Sequence, residues 1–108
     1  MDYAIQLNED PKGTRFQIGF QFIKAACERG HRILLVFFYQ EAVLAAFESR
    51  QSDLAWSELA ANYGIDFVYC SAAAERLKPN TEPLPGFREG GLALWVDATL
   101  RADRVIQF

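Results

Sequence analysis

The stretch RILLVFFY, Arg32 to Tyr39, is a nearly continuous apolar run. In a β-strand, successive side chains point to opposite faces, so an unbroken apolar run needs cover on both sides. That requirement points away from an open antiparallel sheet and towards a sheet with helices packed on it. The rest of the chain fits this reading.

YAIQL (Tyr3–Leu7) reads as a first strand, followed by the turn NEDPKG. A helix is expected from Thr14, because TRFQ matches a capping box: the Thr14 hydroxyl accepts from the Gln17 amide, and the Gln17 side chain reaches back. Phe16, Phe20, Ile23 and Cys27 then fall on one apolar stripe, and Gly30 supplies the stop. QEAVLAAFES reads as a short helix. SDLAWSELAANYG reads as another, with Ser52 or Asp53 as its N-cap and Gly64 as its end. IDFVYC is the next strand, and SAAAERL opens a helix. Lys78–Gly91, KPNTEPLPGFREGG, reads as one long irregular segment rich in proline and glycine. LALWVDATLRA is the last helix and DRVIQF the last strand. Repeated strand–helix alternation implies right-handed crossovers. The expected fold class is therefore α/β: a three-layer α/β/α sandwich with a mainly parallel sheet of about five strands, built as a single domain over residues 1–108.

Composition narrows the function. The 11 basic and 14 acidic residues give a net charge of -3 with no basic cluster, which argues against direct nucleic-acid binding. No apolar run reaches the roughly 18–20 residues of a membrane span. The opening MDYAIQLNED carries acids where a signal peptide carries bases, so a cytoplasmic location is expected. Two cysteines and one histidine provide neither a disulfide framework nor zinc-ligand spacing. No metal and no cofactor is expected.

Chemistry concentrates at Cys70, on the seam between a strand and a helix. In open parallel sheets, ligands and reactions gather beyond the carboxyl ends of the strands. The first free amides of the helix, at Ser71 and Ala72, would favour a thiolate there over a thiol and stabilise an anion attached to it. The alternative is a packed core cysteine, since cysteine is among the most buried residue types. Cys27 lies on the core stripe of the first helix, where an apolar setting keeps a thiol protonated and inert. Lys78 and Arg88 flank the irregular segment as candidate mouth residues for an anionic persulfide or a partner carboxylate. Other constellations are weaker. PKGT at the first turn lacks a phosphate-loop signature, though Lys12–Thr14 leaves a small-ligand site open. His31 sits alone in a turn, and no serine stands in a GxSxG elbow. Phe37, Phe38, Tyr39, Trp56, Phe87 and Trp95 exceed what the periodic core faces require; each singly is expected to pack inside, while together they favour an oligomer in which some line a subunit interface.

Three blocks carry a family resemblance: FQFIKAACERGHRILLVFFYQEAV, YGIDFVYCSAAAERL and GFREGGLALWVDATLRADRVIQF. In that order, with a cysteine before an alanine run, the chain resembles the DsrE/TusD family of sulfur-relay proteins. The resemblance implies a DsrE-like α/β/α fold and a hexamer, formed with sister subunits or with copies of itself. It implies a sulfurtransferase that accepts sulfane sulfur as a persulfide from a protein donor and passes it to a protein acceptor. The destination would be transfer-RNA thiolation or sulfur oxidation. The family's active cysteine maps onto Cys70, and Cys27 has no counterpart. The chain looks shorter than its relatives after FFYQEAV and after the cysteine helix. The alternative within the family is a non-catalytic structural subunit.

Overall fold

The computed structural model describes residues 1–47 and 51–108, with side chains described outside 51–54. Five strands form one sheet: β1 (Asp2–Leu7), β2 (Arg32–Phe38), β3 (Phe67–Cys70), β4 (Phe87–Gly90) and β5 (Arg104–Gln107). Their order is β4-β3-β2-β1-β5, and every neighbouring pair is parallel. The helices are α1 (Thr14–Glu28), α2 (Gln51–Tyr63), α3 (Ser71–Leu77) and α4 (Leu92–Arg101), with a 3₁₀ helix at Gln40–Ala46. The expected layered α/β fold is what forms.

The apolar run on β2 explains the layering. Phe37 and Phe38 are neighbours in sequence, both fully buried, and they face opposite ways. Phe38 joins an aromatic cluster with α1 and α2, in which Trp56 lies edge-on to Phe20 at 4.7 Å and to Phe38 and Phe67 at 5.2 Å. Phe37 instead stacks on Trp95 of α4, with ring centroids 6.1 Å apart. The strand order accounts for this split. From β1 to β4 the chain steps one way across the sheet, then returns past β1 to place β5. Right-handed crossovers in opposite directions put their helices on opposite faces.

Several local expectations are corrected. The capping box does not form: Gly13 is the N-cap of α1 and no side chain caps it. The Gln17 amide donates to the Gly13 carbonyl, and the Gln17 side chain donates to the Pro11 carbonyl at 2.8 Å. The backbone is already helical at Gln51, so Ser52 and Asp53 lie inside α2 rather than at its cap. The segment Lys78–Gly91 is not wholly irregular, because Phe87–Gly90 forms the edge strand β4. The aromatic residues pack inside, as expected of each singly, and so supply no interface: Phe37, Phe38, Trp56, Phe87 and Trp95 are buried, and Tyr39 is half-buried. The stops hold. Gly30 and Gly64 adopt φ of 85° and 64°, a backbone region that glycine enters without steric penalty.

Candidate functional site

Cys70 ends β3 and is itself the N-cap residue of α3, with extended backbone angles (φ -67°, ψ 117°). A strand that stops in extended geometry and turns at once into SAAAERL leaves its last side chain at the carboxyl edge of the sheet. The thiol makes no capping hydrogen bond. Ser71 and Ala72, the next two residues, are exposed, whereas Cys70 is only 5% exposed. Its sulfur therefore lies just beneath the surface at the start of a helix, where amides lack intrahelical partners.

The neighbours were only partly foreseen. Gly90 on β4 is the parallel-sheet partner of Cys70, and the Ser71 hydroxyl donates to the Gly90 carbonyl at 3.4 Å. One residue later, Gly91 caps α4. Two helices thus begin side by side at this corner, a juxtaposition hidden in the sequence because β4 lies inside a segment with the composition of a loop. On the other flank, β2 ends two residues before Gln40, which holds φ 51° without being glycine. Such strained residues tend to cluster at functional sites. Beyond the ends of β1 and β2 runs an open groove of about 430 Å³, lined by Asn8, Glu9, Asp10, Arg15, Gln40, Glu41 and Phe108.

The candidate mouth residues go elsewhere. Arg88 forms a two-point ion pair with Asp66, Nε to Oδ1 and Nη2 to Oδ2, each 2.8 Å. Asp66 precedes β3, so this guanidinium is held at the end of the strand opposite Cys70. Lys78 is exposed at the far end of α3, in left-handed geometry (φ 49°). At the first turn, a Cβ at Gly13 would overlap the Glu9 carboxylate, so an anion approaching Lys12–Thr14 would meet a like charge already lying there. Cys27 is buried in the core, and that burial, with Glu28 beside it, pushes its pKa up.

Known proteins share this architecture. The DsrE/DsrF-like family model matches residues 1–108. The DsrE protein of Allochromatium vinosum is 36% identical, with 100% of this chain and 98% of that protein aligned. The sulfurtransferase TusD of Sodalis glossinidius is 38% identical over the same shares. TusD of Serratia proteamaculans is 33% identical over 100% of this chain and 99% of its own. The crystal structure of the YchN protein from E. coli superposes with a TM-score of 0.85 at 17% identity, covering 100% of this chain and 99% of that one. The chain belongs to the DsrE/DsrF-like family. Each sequence alignment spans 128 positions against 108 residues here, so the relatives carry segments that this chain lacks.

Proposed function

We propose that this protein is a sulfurtransferase that carries sulfane sulfur as a persulfide on Cys70. The supporting observation is positional. Of the two thiols, Cys70 alone stands at the carboxyl edge of the parallel sheet, at the N-cap of a helix whose first two residues are exposed. The Cys70 thiolate attacks the outer sulfur of a donor persulfide; the new S–S bond forms and the donor leaves as a thiolate. A partner thiolate then attacks the terminal sulfur, and Cys70 is released as a thiolate. Each step exchanges one S–S bond for another, so neither metal nor organic cofactor is needed. The amides of Ser71 and Ala72 favour the anion in both steps. Loading also solves an access problem. The S–S bond, about 2.05 Å long, carries the reactive sulfur outward from a thiol that is nearly covered.

The donor and acceptor are proteins, and the same transfer serves transfer-RNA thiolation or sulfur oxidation in the cytoplasm. Residues 1–108 act as a single domain within a hexamer of copies or sister subunits. Lys78, exposed at the far end of α3, offers its charge to a partner carboxylate; Arg88, engaged with Asp66, takes no part at the sulfur. No helix among the described residues is long and apolar enough to cross a membrane.

The test is mass spectrometry after incubation with a low-molecular-weight persulfide donor. Wild type is expected to gain one sulfur atom, Cys27→Ser likewise, and Cys70→Ser none. An adduct that survives in Cys70→Ser removes the assignment. The 5% exposure of Cys70 favours a second reading, a non-catalytic structural subunit. That reading predicts that Cys70 resists iodoacetamide near neutral pH, whereas the carrier reading predicts prompt alkylation.

A further inference from the structure

Gly90 stands directly opposite Cys70 across the β3–β4 ladder, about 4.8 Å away, and residues so paired face the same side of the sheet. That side also carries Val68, two residues before Cys70, and receives α4. A Cβ placed on Gly90 would lie 2.5 Å from Leu94 Cδ1 and 2.8 Å from Val68 Cγ1. These contacts differ in kind. The Leu94 methyl ends a flexible chain and can swing aside. Val68 is fully buried and β-branched, held in one rotamer, and cannot. Any side chain at position 90 therefore forces the β4–α4 corner away from β3. The Gly90 carbonyl, which accepts the Ser71 hydroxyl, would move with it. The glycine is not there for an unusual φ, since its dihedral lies outside the left-handed region. It is there for closeness.

We propose that Gly90 is a positioning residue for sulfur transfer: by lacking a side chain, it lets the first turn of α4 close on β3 and holds Cys70 between the starts of α3 and α4. This rests on the reading of Cys70 as the sulfur carrier. A displacement of about 1 Å at a reacting centre can cost up to a hundredfold in rate. Gly90→Ala is therefore expected to slow persulfide loading by about tenfold to a hundredfold. It is also expected to change the rate of Cys70 alkylation at one fixed pH near 7, read per folded molecule so that a general loss of stability does not imitate the effect. Adding Val68→Ala removes the immovable methyl and gives the new one its space. The double variant is expected to recover wild-type loading within a few-fold and the wild-type alkylation rate, while Val68→Ala alone keeps both.

Wild-type loading and alkylation rates in Gly90→Ala would overturn the proposal, as would a double variant no better than the single one. Should Gly90→Ala fail to fold, Ser71→Ala removes only the hydrogen bond to the Gly90 carbonyl. It is expected to change the same alkylation rate, and an unchanged one overturns the proposal. Alkylation keeps the two readings separable. If wild type never accepts sulfur, the carrier assignment fails, while the alkylation rate still reports whether Gly90 sets the placement of the thiol.

Discussion

Cys27 and Cys70 are equally covered, each 5% exposed, so burial does not distinguish them. Their surroundings do. Cys27 lies in the last turn of a 15-residue helix with its side chain in the core cluster, where desolvation disfavours the thiolate and raises its pKa. At near-neutral pH it stays protonated, and its thiolate forms only above the ordinary thiol range. Cys70 ends a strand, and the two residues after it are open to solvent. Iodoacetamide added near pH 7 to the folded protein is therefore expected to label Cys70 first, with Cys27 following as the pH is raised. Peptide mapping of the alkylated protein reads the order directly. If Cys27 is labelled first, the core reading of α1 is wrong, and so is the contrast drawn between the two thiols.

Among the secondary-structure elements, the chain announces its interior strands and helix stops more clearly than its edges. β2 and β3 are apolar on both faces, and Gly30 and Gly64 end helices in the left-handed geometry expected of them. Gly64 offers a clean measurement. A Cβ there meets nothing within 4 Å, so Gly64→Ala is charged for backbone geometry alone, about 1–2 kcal/mol. In a domain of this size, each kcal/mol lowers Tm by about 4–8 °C. An unchanged melting curve would mean that α2 does not need this stop. β4 stayed hidden for a physical reason. Of FREG only Phe87 is buried, because an edge strand has one neighbour and shows solvent much of its surface. With β4 unread, the pairing of Gly90 with Cys70 was out of reach, and half of the site's wall with it. The cap of α1 departs from its sequence pattern for a different reason. A glycine beside an acidic side chain took the extended position, where pattern favoured Thr14. Cys70 itself was legible, because a strand signal running straight into alanines places it on the seam.

For the whole molecule, the outstanding feature is an apolar surface that the aromatic residues do not supply. α4 turns Trp95 and Ala98 to the sheet and leaves Leu92, Val96 and Leu100 exposed at 52%, 52% and 80%. Spaced four residues apart, they form one stripe along the outer side of the helix. The charges beside it, Asp97 and Arg101, pair with each other at 3.0 Å and leave the flank without net charge. A stripe of this kind gains by meeting another apolar surface, at about 25 cal/mol per Å² covered, and it fits the proposed assembly of like subunits. Val96→Glu puts a carboxylate in the middle of that contact. Because Val96 is half-exposed in the free chain, the substitution is expected to leave the circular dichroism spectrum unchanged while dispersing the assembly to monomers. Sedimentation velocity at matched concentrations measures this. A wild type that sediments as a monomer, or a Val96→Glu variant that keeps the wild-type mass, would show that subunits do not meet through α4.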